Sequence, residues 1–169
     1  RAADRRDTLG QVIDANNIAL VGYSMGGFGA LATAGMDYDP ASGVFKQLPA
    51  EAQAAIFDSQ TKGKSVAAKI KAVVALPPFG GRPESRAWTA ASLAQSQKPM
   101  LVIGGSDDDI VDMKNGISWI FEQMTAKSRH MLVFQNARHN VGGNPPPPEA
   151  NDDFSTREYF AEPVWRAER

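Results

Sequence analysis

The sequence contains no cysteine, which removes disulfides, a thiolate nucleophile and cysteine-ligated metals from consideration. It has no apolar run approaching the roughly 20 residues of a bilayer-spanning helix, so no membrane span is expected. Neither sign of charge dominates: 18 Lys and Arg stand against 19 Asp and Glu, a net charge of -1. Both signs are scattered and form no basic stripe, so neither nucleic acid nor an anionic membrane surface is an expected partner. Arg1 to Asp7 is polar and charged and does not read as a secretory signal. The composition assigns no compartment. Histidine is scarce, with two copies, so any imidazole chemistry falls on His130 or His139. What is present is 43% hydrophobic and 22% charged residues over 169 positions, the make-up of one soluble globular domain, 1–169, with a real core.

The most informative stretch is Ile18-Ala-Leu-Val-Gly-Tyr-Ser-Met-Gly-Gly27. An aliphatic run ends in Gly22, Tyr23 and Ser24 follow, and helix-compatible residues begin near Phe28. This is strand, sharp turn and helix with a serine at the apex, the Gly-x-Ser-x-Gly arrangement that exposes a nucleophilic hydroxyl above a sheet. A serine held at a strained backbone angle leaves no room for side chains at Gly22 and Gly26. The first helical N–H, on Met25, is placed to receive a developing oxyanion. An ordinary glycine-rich turn is the plain alternative, and the outcome depends on finding a base and an acid downstream.

In chain order, Arg1 to Asn17 reads as a helix with Leu9, Val12 and Ile13 on one face. A strand is expected at Ile18 to Val21. Residues 36–68 read as an irregular insertion, punctuated by Asp39-Pro40, Ser42-Gly43 and Pro49, with a short helix at Ala50 to Phe57. Near-continuous aliphatic runs at Ile70 to Leu76 and Pro99 to Ile103 predict strands buried on both faces, and Met131 to Phe134 predicts a fourth. Helices are expected at Trp88 to Ala94 and Asn115 to Met124, the latter with Ile117, Ile120, Phe121 and Met124 on one face. Gly142-Gly143 and Pro145 to Pro148 read as loop or polyproline geometry. The alternation predicts a mainly parallel α/β sheet with helices on both faces.

A serine hydroxyl needs an imidazole to take its proton and a carboxylate to orient that imidazole. His139 lies just past the carboxyl end of the fourth strand, where α/β sheets place their chemistry. His130 lies at that strand's start and reads as a solvated edge residue. Gly105-Ser-Asp-Asp-Asp-Ile-Val111 follows the third strand and offers three aspartates. Gly105, Asp108 and Val111 fit the Gly-x-x-Asp-x-x-Val spacing, while Asp107 and Asp109 read as turn-capping or solvent-facing residues. A calcium or magnesium loop is the competing reading of the triplet, but no EF-hand ligand pattern follows it. No metal or other cofactor is expected. The order Ser24, Asp108, His139 is the Ser…Asp…His order of the α/β-hydrolase fold.

On these residues the chain resembles the α/β-hydrolase superfamily. Gly-Tyr-Ser-Met-Gly-Gly-Phe-Gly, Gly-Gly-Ser-Asp-Asp-Asp-Ile-Val and Asn-Ala-Arg-His-Asn-Val-Gly-Gly-Asn-Pro are similar to segments of bacterial dienelactone-hydrolase-like and acetylhydrolase-like serine esterases. Dienelactone hydrolases carry cysteine where this chain has Ser24, which points to ester hydrolysis more generally. The elbow is also similar to that of cutinases and polyester hydrolases, in which an aromatic residue past the strand after the elbow lines the substrate cleft. That resemblance makes Phe79 the first candidate for substrate contact, with packing of its own turn as the alternative, and Tyr23 beside the nucleophile is the second.

The resemblance further implies strands before the elbow and a helix after the histidine loop. It therefore predicts a central part of the fold, lacking N-terminal strands and the C-terminal helix. The second oxyanion donor is then expected outside this sequence, with a missing segment or second chain completing the fold. The implied activity is hydrolysis of a small-molecule or polymeric carboxylic ester through an acyl-enzyme. The same triad could serve a peptidase, thioesterase or lipase, and a non-catalytic α/β module is the remaining reading.

Overall fold

The computed structural model describes residues 12–141 and 156. Four strands, β1 (Ile18–Tyr23), β2 (Ile70–Leu76), β3 (Met100–Gly105) and β4 (Arg129–Phe134), form one sheet in the order β1-β2-β3-β4. Every pairing is parallel. The β-branched and aliphatic residues of these runs suit a pleated, covered surface, and β2 coincides with the run that predicts it, while β1 and β3 run two residues further at the carboxyl end and β4 begins two residues earlier. Parallel pairing sends all four carboxyl ends, Tyr23, Leu76, Gly105 and Phe134, to the same edge of the sheet.

The helices are α1 (Met25–Thr33), α2 (Gly43–Lys46), α3 (Ala50–Ala67), α4 (Ala90–Gln95) and α5 (Trp119–Gln123). Their buried residues Leu31, Phe45, Leu93 and Ile120 form one cluster with Val73, Ala75, Met100 and Val102 of the sheet. Fully burying a side chain such as Leu31 stabilises the fold by about 1.5–3 kcal/mol. Phe28, Tyr38, Phe45, Phe57 and Trp88 add a chain of aromatic contacts, the closest joining Tyr38 and Phe45 at 4.8 Å between centroids. The opposite face of the sheet is open among the described residues, with Val21 71% and Leu132 44% exposed. Helical cover is thus met on one face. The stretch read as the first helix, 1–17, lies mostly outside the described residues, as does the proline segment at 145–148.

Two expectations change. Residues 36–68 are not irregular throughout, because α3 occupies 18 of them. Its Ala, Gln, Lys and Glu residues carry high helix propensity. Only Ile56 and Phe57 pack on the main cluster, so the apolar periodicity that would mark its length is weak. The remainder, 36–49, holds the short α2 and a bridge from Tyr38 to Trp88. The second change is at Asn115 to Met124. A π-helical segment at Met113–Ser118 leads into α5, beginning at Asp112, which has φ 61°. The Asp112 carbonyl accepts from both Gly116 and Ile117 N–H at 2.9 Å, and its carboxylate accepts from Asn115 N–H. The wide turn keeps Ile117 and Ile120 both fully buried.

Candidate active site

Ser24 is the residue between β1 and α1, with φ 54° and ψ -114°, a region that costs a non-glycine residue energy and persists only when its surroundings impose it. Its N–H donates to the Leu76 carbonyl at 3.1 Å, and its own carbonyl accepts from Phe28 and Phe79 N–H at 3.1 and 3.3 Å. The turn is crowded at one glycine and not at the other. A Cβ on Gly22 would stand 2.1 Å from the Gly26 carbonyl oxygen, whereas one on Gly26 would meet nothing within 4 Å. The prediction that both positions exclude a side chain therefore holds at Gly22 alone. Gly26 supplies the backbone that does the crowding, and its own α-carbon faces outward. Met25, the first residue of α1, is among the helix positions whose N–H has no partner within the helix.

Asp108 and His139 reach Ser24 from loops after β3 and β4. His139 Nδ1 lies 2.9 Å from Asp108 Oδ2, and its Nε2 lies 3.1 Å from Ser24 Oγ. Both partners are 5% exposed. The other Asp108 oxygen accepts from the N–H groups of Ile110 and Val111, each at 3.0 Å. Both carboxylate oxygens are thus occupied, and the carboxylate accepts from Nδ1–H. That selects the tautomer leaving Nε2 free to accept the serine proton.

The two loops are joined backbone to backbone. Ser106 N–H donates to Phe134 O at 3.0 Å, Asp107 N–H to Ala137 O at 2.9 Å, and Asn136 N–H to Ser106 Oγ at 2.8 Å. The approach is so close that a Cβ on Gly105 would stand 2.2 Å from the carbonyl oxygens of both Ala137 and Arg138. Beside the Asp108–His139 pair, Asp109 pairs with Arg138. The hydrogen bond from Arg138 holds the Asp109 carboxyl below its ordinary value of 3.8. The three aspartates thus face three different partners, Asp107 being bonded by the Ser106 hydroxyl, and they do not converge on a common point.

Of the other predicted residues, Phe79 is half-buried, with its ring 6.1 Å from that of Phe28. The Tyr23 hydroxyl donates to the His139 carbonyl at 3.0 Å and lies 3.2 Å from Asn140 Oδ1. Its ring centroid is 5.5 Å from that of His139. His130 is exposed on β4, opposite Leu101. Sequence reasoning misses the Asp109–Arg138 pair, although opposite charges immediately follow Asp108 and precede His139 and could have suggested it. A cleft of about 330 Å³ lies elsewhere, between α1 and α3, bordered by Thr33, Tyr38 and Lys64. None of Ser24, Asp108 or His139 lines it.

The sequence model of the Prolyl oligopeptidase family matches residues 2–162. No curated protein matches the sequence. Among solved structures, the esterase domain of a Rhodothermus marinus protein aligns with a TM-score of 0.44 and 17% identity, over 89% of this chain. A Paleococcus ferrophilus monoacylglycerol lipase aligns with a TM-score of 0.49 and 13% identity, again over 89% of this chain. The chain spans 58% of the length of the first and 67% of the second.

Proposed function

The chain belongs to the prolyl oligopeptidase family, and from that premise we propose that it is a serine hydrolase cleaving carboxylic esters through Ser24, His139 and Asp108. The observation that carries this reading is the continuous relay from Ser24 Oγ to His139 Nε2 at 3.1 Å and from His139 Nδ1 to Asp108 at 2.9 Å. Ser24 Oγ attacks the ester carbonyl carbon while its proton passes to Nε2 of His139. The Asp108 carboxylate stabilises the imidazolium that forms. Negative charge develops on the former carbonyl oxygen and is received by Met25 N–H at the start of α1, where the helix dipole adds to the hydrogen bond. Collapse of this intermediate breaks the bond to the alcohol, which leaves with the proton from Nε2. Water then repeats the sequence on the acyl-enzyme and restores Ser24. Phe79, beside the Ser24 carbonyl, is the residue proposed to line the substrate.

The family match favours one second reading, in which the same three residues open a peptide bond. The chemistry differs only in the leaving group, an amine in place of an alcohol. Parallel panels of p-nitrophenyl esters and peptide p-nitroanilides separate the two, and ester turnover is expected to be the faster.

The central test is substitution of the nucleophile and base. Ser24→Ala and His139→Ala are each expected to lower kcat by about 10⁴-fold or more, with an unchanged thermal melt and no fluorophosphonate labelling of Ser24→Ala. Near wild-type ester cleavage by either variant would sink the triad. A chain whose Ser24 resists the fluorophosphonate altogether would be a non-catalytic module.

A further inference from the structure

Ser24 and His139 come from opposite edges of the sheet. Ser24 follows β1 and His139 follows β4, with β2 and β3 between them. Three strand spacings separate the two edges, roughly 14 Å. The histidine loop must therefore arch back over the carboxyl ends of β3 and β2 to bring Nε2 to the serine. The hydrogen bonds among Ser106, Asp107, Phe134, Asn136 and Ala137 secure this arch to the neighbouring β3 loop. They fix His139 relative to Asp108 but do not reach the elbow.

Besides the bond from His139 Nε2 to Ser24 Oγ itself, a contact that reaches the elbow is made by the residue preceding Ser24. Tyr23 ends β1, and its hydroxyl donates to the His139 carbonyl at 3.0 Å. That carbonyl also accepts from Val141 N–H at 3.0 Å, so the far end of the arch is gripped on its backbone while its ring is engaged by Asp108. We propose that Tyr23 is a positioning residue: its hydroxyl ties the base loop directly to the strand that carries Ser24 and sets the distance between Oγ and Nε2. The inference rests on the triad proposed above. The Tyr23 side chain moves no proton in the reaction. Its effect is geometric, and displacement of a reacting group by about 1 Å can cost as much as 100-fold in rate. Because the Asp108–His139 pair still orients the ring after the tyrosine is removed, the expected loss is smaller, about 10-fold.

The test uses the full chain with Tyr23→Phe, which keeps the ring and removes the donor. The readouts are steady-state hydrolysis of p-nitrophenyl acetate, the rate of fluorophosphonate labelling and a thermal melt. The expected result is a kcat about 10-fold lower with KM within twofold of wild type, and a labelling rate reduced in parallel. A merely structural role would lower the melting temperature without this split between kcat and KM. Wild-type kcat and labelling rate in Tyr23→Phe would overturn the inference, and so would a loss confined to KM, which would make Tyr23 a substrate contact. Where Tyr23→Phe does not fold, Tyr23→Met fills the space without a donor and is read the same way. Ser24→Ala run in parallel keeps the two ideas apart. If it retains activity, the triad itself fails. If it is inactive beside a fully active Tyr23→Phe, only the positioning role fails.

Discussion

Ser24, the proposed nucleophile, and its two partners Asp108 and His139 are held by different kinds of construction. The elbow is largely local: the Ser24 carbonyl accepts from Phe28 N–H and its crowded contact lies between Gly22 and Gly26, four positions apart, with bonds to Leu76 and Phe79 tying it to the end of the adjacent β2. Asp108 and His139 are held across sequence, by bonds between a loop at 105–111 and another at 134–141. A local turn fails by losing its own shape. A paired-loop construction fails by losing register between its halves, each of which can remain intact. His139, the proposed base, is held by its own bonds to Asp108, Ser24, Tyr23 and Val141, and its loop is placed by bonds made by neighbouring residues, so a loss of register between the loops is expected to displace it first.

Glycine substitutions break the two constructions separately. Gly22→Ala drives a Cβ to 2.1 Å from the Gly26 carbonyl oxygen, and backbone must yield. The expected effect is the largest: ester hydrolysis falls by about 10³-fold or more, with several kcal/mol lost in denaturant unfolding, beyond ordinary overpacking. Gly105→Ala places its Cβ against the carbonyls of Ala137 and Arg138 instead. It should leave the elbow intact but shift His139, with kcat lower by about 100-fold and a melting temperature reduced less than in Gly22→Ala. Equal losses of activity and stability in the two variants would erase the distinction.

Asp109→Asn probes the same loop pair more gently. The pair with Arg138 is half exposed, with side-chain exposures of 57% and 37%, and such pairs contribute at most about 1 kcal/mol. A two- to threefold change in kcat is expected, fading as salt is added. The pH sign follows from the lowered carboxyl of Asp109. A group depressed in the folded state contributes fully above its unfolded value near 3.8, and the contribution is lost as pH falls through the lower folded value. Wild type and Asp109→Asn should therefore differ in stability at neutral pH and converge in strong acid. The smallest effect is expected in α3, far from both constructions. Gly63 is a helix-interior glycine with open space at its Cβ position, so Gly63→Ala should stabilise by about 0.5–1 kcal/mol. A rise of a few degrees in melting temperature with unchanged kcat is the expected result.

The same division explains what could be read from sequence. The elbow is contiguous, so Gly22, Ser24 and Met25 stand out in ten residues. Asp108 and His139 are legible because each follows an apolar run in the expected order. The four strands and their mainly parallel arrangement are equally plain, since aliphatic runs alternate with helices, whereas the order β1-β2-β3-β4 comes from the structure. What sequence hides is non-local or aperiodic. The partner of the Tyr23 hydroxyl lies 116 residues away, and no pattern within a window reports it. The length of α3 is masked by its polar, weakly amphipathic composition. The π-helical turn at Met113–Ser118 is masked because the 3.6-residue period fits Ile117, Ile120, Phe121 and Met124 well enough without it.

The bonds between the acid and histidine loops also bear on how the protein opens. The amides of Ser106, Asp107 and Asn136 each donate across the gap between the loops, and none can be freed without separating the two. They are expected to open as a single cooperative unit, distinct from unfolding of the sheet beneath it. Deuterium should enter these three amides at one shared rate, faster than into Val73, a buried β2 residue whose amide donates to the Pro99 carbonyl just before β3. A shared rate would mean that the arrangement of Asp108 and His139 is dismantled in one step while the sheet that carries it persists.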